Sequence, residues 1–216
     1  MNRRFWSAVT AAGVILLAAA VGLTLWNVQT DLKAAQSRDT ILLQLADAMP
    51  EEDEPAADKP PATEPPATES PATESPAPKS PSTEEVLPSV PIDGRNYMGA
   101  IRFPSLNLEL PVLAEYTLPA LRIAPAVYSG TPEGNDLVIC AHNYRSHFGQ
   151  LNRLSLGDEV LMRTVDGAVY RYTVAATEVV SPLAVQDVTG GQWDLTLFTC
   201  TLGGRTRFVV RCDRMA

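Results

Sequence analysis

Between residues 50 and 91 the chain has nothing from which to build a core, and this confines any globular fold to the residues beyond 91. Pro-Ala-Thr-Glu recurs at 61–64, 66–69 and 71–74, a repeat of five residues. Proline and like charges keep such a segment extended and solvated, because it has too little apolar surface to offset the entropy of ordering. Some 40 residues at about 3.1 Å each give a maximal reach on the order of 120 Å. The formal charge of −8 also arises here, since residues 51–85 carry ten acids against two lysines. The remainder is near neutral, which gives no case for nucleic-acid binding. A chain of 216 residues therefore holds one folded domain rather than two. Its expected boundaries are a linker over 50–95 and a domain over 96–216.

Upstream of the linker, Arg3 and Arg4 precede 22 residues, 5–26, with no charge and no proline. As a helix rising 1.5 Å per residue they span roughly 33 Å, enough for the hydrocarbon core of a bilayer. Trp6 and Trp26 sit near the two ends, where interfacial aromatics belong, and the arginines place residues 1–4 in the cytoplasm. The rival reading is a cleaved signal peptide with Ala18 and Ala20 at the cut. The apolar run continues past those alanines with no polar segment, so an uncleaved anchor is expected. Residues 27–49 are polar and helix-forming, with Leu32, Ala35, Ile41, Leu42 and Leu45 near helical spacing. No heptad is sustained, and a frayed, solvated juxtamembrane helix is expected.

From Tyr97 onward the texture is that of short strands. Strands are predicted over 98–103, 108–113, 123–128, 136–141, 159–164, 169–180, 195–200 and 207–210. Turns fall at 104–107, at 131–135 and at Asp166-Gly167. Pro111 and Pro125 cannot donate to a ladder and mark edge or kinked positions. Residues 146–151 read as a loop or short helix, and 181–193 contain a short helical piece. Eight such strands suggest an all-β, closed or nearly closed barrel.

The last two strands carry the chemistry. Leu-Thr-Leu-Phe-Thr-Cys at 195–200 and Arg-Phe-Val-Val at 207–210 flank a connector with Gly203-Gly204, a hairpin signal. It sets Cys200 at the end of one strand and Arg207 at the start of its neighbour. A thiol nucleophile needs a proton acceptor, and an acyl-transfer oxyanion needs a fixed donor, a task that suits Arg207. The chain has two histidines. His142 ends the apolar run 136–141 and precedes Asn143. His147 lies in a Ser-His-Phe segment that reads as a structural cap. Arg205, in the turn, reads as solvated.

Thr-Leu-Phe-Thr-Cys, an arginine before a Phe-Val-Val strand and an upstream Ala-His-Asn together resemble the sortase family over roughly residues 96–213. The resemblance implies an eight-stranded barrel and a membrane-anchored cysteine transpeptidase. Cys200 would be the nucleophile, His142 the general acid and base, and Arg207 the oxyanion donor. Its partners would be exported proteins with a Leu-Pro-x-Thr-like sorting signal and an amine from a peptidoglycan precursor or pilin. The domain would be extracellular and held by a single-pass anchor. No hydrophobic segment follows Met215 and no Asp-Pro-aromatic lid precedes the domain, which points to a class B-like or D-like enzyme. The alternatives are a cysteine peptidase without an amine acceptor and a non-catalytic tethered binding module. No cofactor is implied. Calcium is a minor expectation from Glu133, Asp136 and Asp187, which form no dense acidic loop.

Three cysteines are too few for a stapled scaffold. If His142 and Cys200 are level on adjacent parallel strands, Cys140 is offset by about 6.6 Å along strands about 4.8 Å apart. The diagonal of about 8 Å exceeds the roughly 7 Å limit for a disulfide, so Cys140 should be a free thiol below the site.

Overall fold

Strand β2 (Arg95–Phe103) turns back into β3 (Leu108–Leu113) through a 3-10 turn at Pro104–Leu106. Proline starts that turn, and Asn107 ends it in the left-handed region, its N–H donating to Pro104 O. The structure is a computed structural model describing residues 3–49, 87–184, 188–189 and 192–215; the side chains of residues 3–11, 27, 30, 31 and 34 fall outside that description. Most of the linker, and Asp187, lie outside the described residues.

The remaining strands are β1 (Val90–Ile92), β4 (Ala126–Ser129), β5 (Leu137–Ala141), β6 (Glu159–Thr164), β7 (Val169–Val180), β8 (Leu195–Cys200) and β9 (Arg207–Arg214). They pair in the order β1-β2-β3-β4-β5-β8-β9-β7-β6, and β6 returns to β2. Eight strands, β2 to β9, thus form the closed barrel that the sequence predicts. Strand β1 is an addition, paired to the start of β2. Closure runs through Gly99↔Thr164 to Arg102↔Leu161. Only glycine fits at the first of these, because a Cβ on residue 99 would lie 2.0 Å from the Arg163 carbonyl oxygen.

Pro111 lies where β3 has little partner on its far side, since β3 meets β4 only at Leu113↔Ala126. The predicted third strand begins later than expected. Residues 120–124 wind into a 3-10 turn, with Ile123 and Ala124 N–H both donating to Ala120 O, and the strand starts only after Pro125.

Alternation along each strand sorts side chains into two layers. Phe103, Leu110, Ile139, Leu197, Val210 and Cys212 fill the barrel interior. Tyr97, Ala100, Leu113, Ala126 and Cys140 face outward and are covered from outside.

The cover is the last stretch of α1 (Arg3–Ala48). Ile41, Leu45 and the following Met49 are buried in the outer cluster, with Leu45 fully excluded from water. The expectation of a frayed, solvated helix fails for this last stretch. Its apolar residues recur at a spacing of four, and β1, β2 and β3 supply the surface that buries them. Among the described residues, no helix is long and apolar enough to cross a membrane.

Candidate active site

The β8–β9 hairpin sets the first two groups. Cys200 stands opposite Arg207 in the antiparallel ladder. Thr201 N–H donates to Thr206 O at 3.0 Å, and the two threonine hydroxyls meet at 2.7 Å. Gly203 and Gly204 have φ of 82° and 70°, which explains the glycine pair in the connector.

The third group comes from the parallel pairing of β5 with β8, which runs from Leu137↔Leu195 to Ala141↔Thr199. His142 and Cys200 are the residues that follow the last pair of that register. The buried Thr199 hydroxyl donates to Ala141 O at 2.9 Å, tying the two strand ends together directly behind the site. Local sequence assigns Thr199 no separate part. Its partner is 58 residues away, so no local signal could reveal it.

Cys140 and Phe198 face outward, so His142 and Cys200, two residues further on, share that outer face. Cys200, His142 and Arg207 line one cleft of about 210 Å³ at the barrel's end, with Cys140 in its wall. A second cleft, about 450 Å³, also reaches Cys200 and is lined by Asn143, Asn152, Leu202 and Phe208. The thiol therefore sits where two clefts meet. It is half-buried and free, as are the buried Cys140 and Cys212. Burial pushes the Cys140 thiol up to about 12, so this neighbour stays protonated and poorly nucleophilic.

His142 is half-buried and fixed from several sides. Its carbonyl accepts from Phe148 N–H at 3.2 Å. Its ring lies 5.0 Å from that of Tyr144, which lies 5.4 Å from His147. Desolvation holds the imidazole below its ordinary 6.5, and the positive charge of Arg122 adds to the effect. His147 is fully buried, lines neither cleft, and shares a hydrogen bond through Nε2 with Ile123 O at 3.2 Å. Arg207 Nη1 donates to Gly204 O and Thr206 O, both at 3.2 Å. Arg205 is exposed and lines neither cleft.

One wall of the smaller cleft is aromatic. Tyr116 packs edge-on against Tyr128 at 5.3 Å, and Tyr128 against Phe198 at 5.4 Å. These residues come from a loop and two different strands, so sequence periodicity could not gather them. Of the residues weighed for calcium, Glu133 accepts from the Tyr170 hydroxyl and Asp136 from Thr131 N–H. Among the described residues no group of three or more His, Cys, Asp or Glu could hold a metal.

A closed eight-stranded barrel with thiol, imidazole and guanidinium beside one cleft at its end is suited to acyl transfer through a cysteine. The family model of the sortase domain matches residues 101–215, more than half of the chain, and the chain belongs to the sortase family. It is 25% identical to sortase A from Corynebacterium diphtheriae, with a TM-score of 0.52 over 56% of this chain and 62% of that one. Sortase C1 from Streptococcus agalactiae is 28% identical, with a TM-score of 0.50 over 58% and 70%. A Clostridium perfringens sortase D5 transpeptidase shares the fold at 21% identity, with a TM-score of 0.51 over 59% and 83%. No curated protein matches the chain. The similar structures include sortases of classes A and C, and the class D fold, so the likeness does not select a class.

Proposed function

We propose that this sortase cleaves a C-terminal sorting signal on exported proteins and passes the acyl group to a cell-envelope amine, with Cys200, His142 and Arg207 as its working groups. The observation that carries the reading is register. Cys200 pairs with Arg207, β5 pairs with β8 up to the residues just before His142 and Cys200, and all three side chains line one cleft.

The cycle begins when the Cys200 sulfur, giving up its proton to His142, attacks the carbonyl carbon of the scissile amide. The resulting oxyanion is stabilised by the Arg207 guanidinium, which donates but cannot be deprotonated. Collapse breaks the C–N bond, His142 protonates the departing amine, and a thioester remains. An incoming amine then attacks the thioester, His142 takes its proton, and Cys200 leaves as a thiolate that recovers that proton from His142. The two clefts that meet at Cys200 favour a two-substrate reaction. The acyl chain can lie in the cleft of His142 and Arg207 while the amine enters by the other. The uncharged run 5–26 supports a membrane anchor with the N-terminus cytoplasmic and the barrel outside, a reading that rests on the sequence, since the side chains of residues 5–11 lie outside the described residues.

The test is incubation of the full chain with a fluorescent peptide bearing a Leu-Pro-x-Thr-like motif, with and without an oligoglycine or diaminopimelate-like amine. Amine-dependent product and a mass adduct on Cys200 are expected, and Cys200→Ala should give neither. Cleavage without transfer at any amine concentration would make the protein a hydrolase. Cleavage retained in Cys200→Ala would remove the nucleophile assignment.

A further inference from the structure

Below the site, the outer face of the barrel carries a buried charge that the reaction does not use. The pairing steps down in rungs: Cys200 opposite Arg207, then Phe198 opposite Val209, then Thr196 opposite Arg211. Arg211 is only 4% exposed on the third rung. Its Nε donates to Glu178 Oε1 at 2.7 Å. Its Nη1 donates to the Thr196 hydroxyl at 3.0 Å and to the Val188 carbonyl at 3.1 Å.

The first two acceptors belong to strands β7 and β8, whereas the third belongs to the connection between those strands. Val188 is buried against Val138 and Val209, with Phe198 and Tyr128 beside them. It also lines the cleft of Cys200, as do Pro182 and Ala184 from the same connection. One planar guanidinium thus joins this wall of the cleft to two barrel strands. A buried guanidinium is costly to keep unless its hydrogen bonds are satisfied. Glu178 partly neutralises it, and the two oxygen acceptors use its fork. Lysine could not reproduce that geometry.

We propose that Arg211 is a positioning residue that holds Val188 in the wall of the acyl-donor cleft, setting affinity for the peptide without touching the reacting atoms. This role rests on the reading of Cys200 as nucleophile.

The experiment compares the full-length wild-type chain with Arg211→Met and Arg211→Lys. The readouts are steady-state transfer from the Leu-Pro-x-Thr-like peptide and the rate of Cys200 alkylation by iodoacetamide, a probe too small to need the wall. With Arg211→Met, KM for the peptide should rise about tenfold, the order expected from losing one charge-assisted hydrogen bond. Both kcat and the alkylation rate should stay within about twofold, the pattern of lost uniform binding. Arg211→Lys keeps the charge facing Glu178 and should give an intermediate KM, and it carries the test alone if the methionine variant does not fold. An unchanged KM, whatever the melting temperature, overturns this role while leaving the functional reading intact. Parallel losses of kcat and alkylation overturn it too, since the effect would then reach the thiol itself. A wild-type chain that transfers no acyl group removes the functional reading and this role with it.

Discussion

At the scale of single residues, the site depends on which donors and protons the fold makes available to Cys200. Arg207 and Arg205 are two residues apart, yet only Arg207 lines the cleft. Arg207→Lys should lower kcat/KM on the order of a hundredfold, because a point charge cannot replace a planar donor at an oxyanion. Arg205→Lys should stay within about twofold, as expected of an exposed side chain. Equal losses in the two variants, measured with one peptide, would show that the donor is misassigned. His142 is held below its ordinary 6.5 by burial first and by the Arg122 charge second. The unfolded chain therefore takes up this proton at a higher pH than the folded one. Stability from keeping the ring neutral is fully present above 6.5 and is lost as pH falls through the folded value. Arg122→Gln removes the repelling charge and should move the NMR titration midpoint of His142 upward. A midpoint unmoved or lowered would leave burial as the only cause.

At the scale of elements, the least expected finding is the end of α1. Read locally, residues 27–49 are a polar helix with scattered apolar positions. In the fold, Ile41, Leu45 and Met49 complete an outer core with Ile92, Tyr97 and Leu113. Leu45→Ala should cost about 2–5 kcal/mol, as deletion of a fully buried leucine does. It should lower the melting temperature of the barrel, not only of the helix, as followed by near-ultraviolet circular dichroism. An unchanged barrel transition would mean that the helix rests on the barrel without stabilising it. The β8–β9 hairpin is the opposite case. Its glycine pair, apolar runs and terminal Cys and Arg are all local, and they stand in the structure as they read in the sequence.

At the scale of the whole molecule, both ends of the Pro-rich stretch lie on the barrel. Met49 is buried in the same apolar cluster as Ile92, and Leu87 packs against the interior core. While the end of α1 stays docked, the distance of the site from the start of the chain is set by α1 and the barrel. Deleting residues 61–80 should leave both the melting temperature and the turnover of a soluble peptide unchanged. A slower or less stable deletion variant would show that the stretch packs on the barrel. Alternation and turn chemistry within a few positions were enough to read the barrel strands and the β8–β9 hairpin. The candidate groups His142, Cys200 and Arg207 drew on the family resemblance as well, and the free thiol of Cys140 on an assumed level pairing of its strand with that of Cys200. Long-range packing alone set the docking of Leu45, the Thr199–Ala141 tie, the Tyr116–Tyr128–Phe198 wall and the Arg211 clamp on Val188. Each joins residues from separate elements, through strand pairing and burial that no local pattern encodes.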